Sequence, residues 1–459
     1  MPAHGTTGSS PGPTANLPGA LFDGQAPARG LPFPRLGASL TAAFRALRHR
    51  NYRLYFFGQL ASVTGSWMQT TALGWLAYEL THQSKWTALV MAAQMLPTFF
   101  LGPWGGALAD RLPKRSVIFV TQAAFMVLAL LLAGLVFGRT IDPWLLLLIT
   151  TAAGLVQAVD LPARLSFVND MAGRNDLMNA VALNSLLFNV ARVLGPALAG
   201  LMLMVPDWGA GACFLVNGLS YLAVLWALRR MDVVGSVKHA DNGRALGARR
   251  PSLLGGFRYL VRRPGLTYLV ALAAMLSLCG WPFLALLPAL ADSPLDRHEW
   301  GYSVMLSATG VGALAAALIV AARGSLARRR RFISTGLTVL TAGIIGLSLA
   351  GNLALAGICT ALVGFGLIMF FITGQSVLQL SADDHNRGRV MAVWAMTQSG
   401  ALPLGTMLSG LAADEWGVPV VLRVNGIACG AVALLLLAGL RLWTRLSPSR
   451  QLVGRPESA

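Results

Sequence analysis

Long apolar segments joined by short polar connections dominate this sequence and restrict what it can fold into. A helix needs about 20 apolar residues to cross the hydrocarbon core of a bilayer, where its backbone must be paired internally. Strand-built barrels are excluded, because their segments alternate in polarity over about ten residues. The sequence predicts an all-α polytopic membrane protein with twelve transmembrane helices, at 54–78, 86–109, 116–137, 143–163, 179–204, 211–228, 266–290, 301–322, 332–350, 353–380, 389–413 and 419–440.

The twelve segments form two related groups of six, separated by a polar, basic loop at 229–265. Gly106-Ala-Leu-Ala in the second segment recurs as Gly312-Ala-Leu-Ala in the eighth, and Gly195-x-x-x-x-Gly200 in the fifth recurs as Gly405-x-x-x-x-Gly410 in the eleventh. Many secondary transporters are built from paired halves that hold substrate near the midplane. We therefore expect two pseudo-symmetric halves, an N-terminal half at 41–228 and a C-terminal half at 266–440.

Lys and Arg residues lie almost entirely on one side of this topology. Of the 36 in the chain, 31 fall in the tails and connections that would face one compartment, and three fall on the other side, at Lys85, Arg139 and Arg297. Cytoplasmic connections retain Lys and Arg. The pattern predicts a multi-pass protein of the cell inner (cytoplasmic) membrane, with both termini and the 229–265 loop in the cytoplasm.

Composition narrows the class of protein further. Only 12% of residues are charged, and the net charge of +18 is spread over short connections, which excludes a nucleic-acid-binding face. Orientation during membrane insertion explains the basic residues, and the alternative is attraction to anionic membrane lipid of the inner leaflet. We expect a disordered tail at 1–40, an interfacial basic helix from Thr41 to Arg53 and a cytoplasmic tail at 441–459. The cysteines fall in separate segments without metal-ligand spacing, so no metal site is predicted.

A charged motif follows the second segment and reads Gly106-Ala-Leu-Ala-Asp110-Arg111-Leu-Pro113-Lys114-Arg115. It resembles the Gly-x-x-x-Asp-Arg-x-Gly-Arg-Arg loop of the major facilitator superfamily, at the position where that superfamily carries it. A glycine there allows close helix approach, and an aspartate can accept bonds from a neighbouring helix N-terminus. Lys114 stands where Arg is usual and cannot pair with a carboxylate in bidentate geometry, which implies a weaker contact at this loop.

Other stretches resemble the drug:proton antiporter branch of that superfamily, which includes siderophore exporters such as the enterobactin exporter family. The resemblance extends from about residue 44 to residue 440. It is carried by Ser62-Val-Thr-Gly-Ser-Trp67-Met68-Gln69, Asp160-Leu-Pro-Ala-Arg164, Asn189-Val-Ala-Arg192-Val-Leu-Gly195-Pro196 and Arg387-Gly-Arg389. It implies export of a small molecule, driven by proton entry and alternating access.

Two aspartates are candidates for a conformational gate at the cytoplasmic end. By resemblance, Asp160 should meet Lys114 or Arg115 and form a network with Asp110. Such a network would favour one of the two alternating states, whereas the alternative is a solvated carboxylate at a helix end. The predicted gate residues are Gly106, Asp110, Arg111, Lys114, Arg115 and Asp160.

Arg192 is a full charge deep in an apolar segment. Such a charge costs about 2.5–3.5 kcal/mol on insertion scales, so it should face the bundle interior. It is either a cavity cation for an anionic substrate or a structural pin for the fifth segment. Glu79, at the outer end of the first segment, is either a proton acceptor or a solvated helix end.

Polar and aromatic side chains in otherwise apolar segments give a predicted cavity lining, although each could instead bridge helices. This set comprises Trp67, Met68, Gln69, Gln94, Asn184, Asn189, Trp281, Gln375 and Gln398. A second set should allow tight packing and bending, and it comprises Gly195, Pro196, Gly405 and Gly410.

No enzyme signature or phosphate-cradling loop is present in the sequence, so we expect a transporter without ATP or another cofactor. The predicted segments hold no acidic residue near the midplane, which favours a neutral or anionic cargo such as a siderophore over a cationic drug. We expect a monomer that takes a small-molecule substrate and protons. The alternatives are an uncoupled facilitator or lipid-type flippase of the same fold and, more remotely, a non-transporting receptor or scaffold.

Overall fold

The computed structural model describes residues 45–205, 208–231, 253–293, 295–323 and 329–446. Within these ranges the chain forms a short 3-10 helix, Arg45–Arg48, thirteen α-helices and no strand. The predicted tail at 1–40, most of the 229–265 loop and the end of the 441–459 tail lie outside the described residues.

The helices are as follows in chain order: α1 (Arg50–Glu79), α2 (Ser84–Arg111), α3 (Lys114–Phe137), α4 (Pro143–Leu203), α5 (Gly209–Arg230), α6 (Leu253–Val261), α7 (Pro264–Cys279), α8 (Phe283–Asp292), α9 (His298–Arg323), α10 (Arg329–Ser348), α11 (Leu353–Ser381), α12 (Asp384–Trp416) and α13 (Val418–Leu446).

Nine spans in the described part of the chain are long and apolar enough to cross a membrane. α4 carries two of them, Pro143–Val168 and Leu183–Leu203, and α7 and α8 together form one, Gly265–Asp292. The remaining predicted segments lie in α1, α2 and α12, which contain 30, 28 and 33 residues. These three are long enough to span but more polar. The all-α membrane fold is therefore confirmed, and the count of twelve spans stays a prediction.

The structure corrects three local expectations. The connection predicted at 164–178 is helical and continues α4 between its two spans. The predicted seventh segment, 266–290, is broken between Cys279 and Phe283, because Pro282 supplies no backbone N–H and disfavours a helical residue before it. The interfacial helix predicted to end at Arg53 is replaced by the 3-10 turn and the start of α1.

The recurring glycines make equivalent contacts in the two halves. Gly195 lies against α1, where a Cβ would overlap Trp67, and Gly405 lies against α7, where a Cβ would overlap the carbonyl of Leu278. α1 and α7 carry the first predicted segment of their respective halves. Each glycine therefore packs its helix onto the corresponding neighbour within its own half.

Five residues after each of these glycines, a second glycine contacts a helix of the opposite half. A Cβ on Gly200 would lie 2.6 Å from Cβ of Ser303 on α9, and one on Gly410 would lie 2.6 Å from Cβ of Ala88 on α2. Side chains do not pack at such separations, so glycine is what permits these helices to approach. The two crossings, α4 on α9 and α12 on α2, join the halves.

Gly105, and not the motif residue Gly106, permits a close approach of α2 to α4. A Cβ on Gly105 would overlap the carbonyl of Ala158, whereas one on Gly106 would lie 3.8 Å from Cβ of Pro162, an ordinary contact. The expectation that Gly106 permits this approach is therefore wrong by one residue. Neighbouring helix positions point about 100° apart, so the two glycines face different surroundings.

These two glycines give a matched pair of substitutions. Gly105→Ala should destabilise the protein by about 1–3 kcal/mol, because the added methyl forces α2 away from α4. Gly106→Ala should change stability by less than about 0.5 kcal/mol. Thermal unfolding of both variants in one detergent measures the difference, and equal melting temperatures would contradict this packing.

Candidate transport pathway and its gates

The end of the bundle that carries Glu79, Asp292 and Asp414 is called the outer end here, following the orientation that the charge pattern predicts. At this end α2 lacks a cap of its own, since the side chain of its N-cap residue Gln83 makes no capping bond. The carboxylate of Asp414, at the end of α12, accepts hydrogen bonds from the backbone N–H groups of Ser84 (2.7 Å) and Lys85 (3.2 Å). The C-terminal half thus caps a helix of the N-terminal half.

A second contact between the halves lies beside this cap. Tyr78 on α1 donates its hydroxyl to Asp292 Oδ2 at the end of α8, at 3.2 Å. Asp292 is also 2.8 Å from Nδ1 of His298, and the ring of Trp75 stacks on that of Tyr302 with 6.4 Å between centroids. Together with the Asp414 cap, these contacts close the outer end. They are called the outer gate below.

A single residue positions Asp414 for this role. Gly417 joins α12 to α13 with φ at +83°, in the left-handed region that residues with a side chain rarely adopt. Its N–H donates to the carbonyl of Ala413 at 3.0 Å, and α12 ends at Trp416, two residues after Asp414. The turn therefore places the end of α12, with the Asp414 carboxylate, against the start of α2.

Glu79 lies at the outer end, one residue beyond the predicted segment 54–78. Partial burial and then the charge of Glu299 raise the pKa of its carboxyl, and His82 opposes that shift. Opening the outer end would separate Glu79 on α1 from Glu299 on α9 and lower this pKa. Both interpretations of Glu79, a proton acceptor and a solvated helix end, stay predictions.

Arg192 lies eight residues before the Gly200 crossing, about 12 Å deeper in the bundle. Its guanidinium carbon sits 5.1 Å from the ring centroid of Trp67 on α1. A Cβ on Gly310 of α9 would lie 3.0 Å from the Arg192 carbonyl, so the halves also meet at this level. A desolvated cation–π contact is worth about 2 kcal/mol, which accounts for part of the cost of this charge.

Arg192 differs from the other deep arginine, Arg164, in its partners. None of the ion pairs among the described side chains includes Arg192. Its side chain is half-buried between α1 and α9, the two helices that pack on this part of α4. The geometry provides a partly accessible cation at the level where the two halves meet, with an aromatic face behind it.

The predicted cavity lining divides into residues that face this level and residues that do not. Met68 is 1% exposed and belongs to the apolar core. Gln69 accepts a 2.6 Å hydrogen bond from Asn217 and bridges α1 to α5, and Asn189 donates to the carbonyl of Ser185 on its own helix at 2.8 Å. These side chains are engaged in packing and bridging, whereas Trp67 lies directly under Arg192.

The remaining members of the set lie on several helices. Gln94 on α2 and Gln398 on α12 are half-buried, near the point where Phe99 meets Gly400 across the halves. Trp281 occupies the break between α7 and α8, with its ring 6.1 Å from that of Phe371. Gln375 is exposed on α11.

A fully buried carboxylate, Asp160, lies at the junction of α1, α3 and α4. Its Oδ2 is 2.6 Å from Nε of Arg164, one helical turn along α4. Its Oδ1 accepts from Thr121 Oγ1 at 2.6 Å and from Gln122 Nε2 at 3.1 Å, both on α3. Arg164 Nη1 reaches Gln59 Oε1 on α1 at 3.3 Å. The buried charge is thus balanced within a polar network.

A small crevice leads to this network from the side of α1 and α4. It has a volume of about 20 Å³, room for one water molecule, and Gln59, Arg164 and Asn184 are among the residues that line it. Gln59 Nε2 is buried and has no hydrogen-bond partner among the described residues. The crevice is therefore a polar approach to the ion pair and the place of the predicted lining residue Asn184.

The partner of Asp160 differs from the one that the resemblance implies. Among the described side chains, the cation paired with Asp160 is Arg164, whereas Arg115 donates to the backbone carbonyl of Arg229 at 3.4 Å. The predicted segments 143–163 and 179–204 place Arg164 in the connection between them, but its side chain is only 15% exposed. The i, i+4 spacing of Asp160 and Arg164 on a helix is the sequence feature that indicates this ion pair. The side chain of Asp110 lies outside the described residues.

Comparison with known proteins identifies the family to which these features belong. The model of the transmembrane secretion effector family, within the major facilitator superfamily, matches residues 41–453. The chain belongs to this family. Its members and the relatives below are transporters and not enzymes, and the resemblance derived from the charged loop is confirmed.

The chain is similar in sequence to two transporters and similar in fold to one solved structure. It is 24% identical to the staphyloferrin A transporter of Staphylococcus aureus, over 82% of this chain and 93% of that one. It is 25% identical to the multidrug efflux pump Tap of Mycolicibacterium fortuitum, over 83% and 95%. The fold matches the nucleoside transporter NupG with a TM-score of 0.70 and 12% identity, over 85% and 99%.

Removing the cap between the halves should favour the state that is open at the outer end. Asp414→Ala leaves two N–H groups of α2 uncapped and destabilises the state that is closed at the outer end by about 1–2 kcal/mol. This shifts the equilibrium between the closed and open states by roughly 5- to 30-fold. Spin labels at Thr140→Cys and Gly351→Cys report the distance across the outer end, and the longer distance should gain population.

The neighbouring Glu415→Ala is the matched control, because Glu415 makes no hydrogen bond or ion pair among the described residues. It removes the same charge from the same turn. Identical distance distributions for Asp414→Ala and Glu415→Ala would show that the cap does not hold the gate.

Proposed function

We propose that this protein exports a small neutral or anionic organic molecule, such as a siderophore, across the inner membrane by proton antiport. The membership of the family and the names of the two relatives support a transporter of this kind. The observation that carries the choice of cargo is the isolated cation of Arg192. It lies against Trp67 at the level where the halves meet and is paired with no described carboxylate.

The charge of the cargo follows from this environment. A lipophilic cation would be repelled by Arg192, and we would expect a pump for such cations to offer a buried carboxylate at the same level. An anion or an electron-rich neutral group would instead gain a charge-assisted bond from the guanidinium, in a region of low dielectric. The indole of Trp67 offers an apolar and aromatic surface beside it.

Alternating access requires that one end closes while the other opens. The outer gate is closed in the structure, so cargo would enter from the opposite end, which the charge pattern places in the cytoplasm. Release would require the Asp414 cap and the Tyr78–Asp292 bond to break. We propose that the proton gradient drives this cycle without ATP or another cofactor, in a monomer with both termini in the cytoplasm.

Asp160 is the proposed proton site. It is fully buried, its cation is on its own helix and a water-sized crevice reaches that cation. The pair lies wholly within α4, so it survives rocking of the halves and can be broken only by protonation or by movement of Arg164. Protonation of Asp160 would break its ion pair with Arg164, whose guanidinium already contacts Gln59, and would so alter the contact between α1 and α4.

Substitution of Arg192 tests the charge of the cargo. Everted membrane vesicles are given a pH gradient and a panel of anions, citrate and catechol carboxylates among them, with ethidium as the cation. Arg192→Gln should reduce anion transport by roughly 10-fold or more, the loss expected for a charged hydrogen bond of about 1.5–3 kcal/mol. Arg192→Lys keeps the charge without the planar fork and should retain weak activity.

Arg423→Gln provides the control, because Arg423 also lies in an apolar segment but is exposed. It should transport at the wild-type rate. Wild-type anion transport by Arg192→Gln, at equal expression, would reduce Arg192 to a structural pin and remove the support for an anionic cargo.

Asp160→Asn tests proton coupling in the same vesicles. The amide keeps the size and one acceptor oxygen, so the variant should still exchange substrate down its own gradient while losing acceleration by the pH gradient. If the pH gradient accelerates transport by the wild type and by Asp160→Asn to the same extent, Asp160 is excluded as the proton site. Wild-type transport that is indifferent to the pH gradient would instead indicate an uncoupled facilitator.

A further inference from the structure

An apolar groove runs along the outside of the N-terminal half between α1 and α5. Two adjoining cavities form it, of about 400 Å³ and about 350 Å³, and Phe57 lines both of them. The larger continues along α1 to Met68, with Val216 of α5 and Met202 of α4 on its far side. Phe57 is 56% exposed and Val216 39%, so the groove is open to its surroundings.

The length of the groove along α1 matches the thickness of one leaflet of the hydrocarbon core. From Phe57 to Met68 the helix rises about 16 Å, since each residue adds about 1.5 Å. Half of a hydrocarbon core of about 30 Å is about 15 Å. An acyl chain that starts beside Phe57 would therefore end near Met68, close to the bilayer midplane.

Two arginines flank the mouth of the groove at the end opposite the outer gate. Arg53 lines the smaller cavity together with Trp226, and the guanidinium carbon of Arg230 lies 5.7 Å from the ring centroid of Trp226. Both arginines are exposed, and neither takes part in an ion pair among the described side chains. The mouth thus combines two uncompensated positive charges with an interfacial tryptophan.

We propose that this groove binds one anionic phospholipid. The headgroup phosphate would lie between Arg53 and Arg230, and one acyl chain would follow the groove from Phe57 to Met68. Charge complementarity selects this occupant, because basic pockets between transmembrane helices bind anionic headgroups. A second protein helix is a poorer match, since it would bury both guanidinium groups against an apolar face.

The site lies entirely within α1, α4 and α5 of the N-terminal half. Rocking of one half against the other does not deform it, so the lipid would remain bound throughout the cycle. Its effect should therefore be on the stability of the N-terminal half and not on the direction of the gates.

The number of phospholipids that remain bound to the purified protein tests the proposal directly. Protein is extracted from a membrane of phosphatidylglycerol and phosphatidylcholine, and native mass spectrometry counts the phospholipids that remain bound. The wild type should retain one phosphatidylglycerol. The double variant Arg53→Gln with Arg230→Gln should bind phosphatidylglycerol about 30-fold more weakly, because each arginine near the surface strengthens the attraction for an anionic lipid by roughly fivefold.

Arg323→Gln with Arg330→Gln is the matched control, because it removes two exposed arginines from the same end of the bundle but outside the groove. It should retain lipid like the wild type. Ala61→Phe fills the larger cavity with both arginines intact and should also lose the lipid.

A measurement on the wild type alone covers the case in which a variant does not fold. Phosphatidylglycerol titrated into phosphatidylcholine nanodiscs should raise the melting temperature and saturate at one lipid per protein. Equal retention of both lipids by the wild type, or equal retention of phosphatidylglycerol by the groove variant and its control, would overturn the proposal and leave an ordinary annular contact.

Discussion

Direct approach of helix backbones across the two halves is the constraint on which the structure depends. In a bilayer the apolar side chains gain little by leaving lipid, so association relies on close packing and on a few polar contacts. The crossings at Gly200 and Gly410 bring α4 onto α9 and α12 onto α2, because neither glycine has a side chain that would separate the helices. This proximity allows a carboxylate on α12 to reach the backbone of α2. The outer gate is therefore a consequence of glycine placement as much as of charge.

The two deep arginines show how one kind of residue takes two roles in the same helix. Arg164 is neutralised by Asp160 one turn away and is tied to α1 through Gln59. Arg192 has an aromatic face in place of a carboxylate. A buried pair on one helix is independent of how the halves are arranged, whereas a cation between α1 and α9 is exposed to whatever enters between them.

Much of this architecture could be predicted from the sequence, because helix length and apolarity are local properties. The charged loop and the recurring glycines indicated the family and the repeat, and the family is confirmed. The partner of Asp160 was missed because Arg164 was assigned to a connection, although its helical spacing was visible. The Asp414 cap could not be predicted, since it joins residues more than 300 positions apart through backbone atoms that carry no sequence signal. The one-residue difference between Gly105 and Gly106 depends on helix rotation, which a motif does not determine.

The turn at Gly417 has a consequence for the mechanics of the protein. A connection of one residue leaves no slack between α12 and α13, so the two helices must translate together when the Asp414 cap opens. α13 presents large apolar side chains such as Ile427, 65% exposed, to its surroundings. Every opening at that end therefore displaces acyl chains, and the lateral pressure and thickness of the bilayer become part of the work of release.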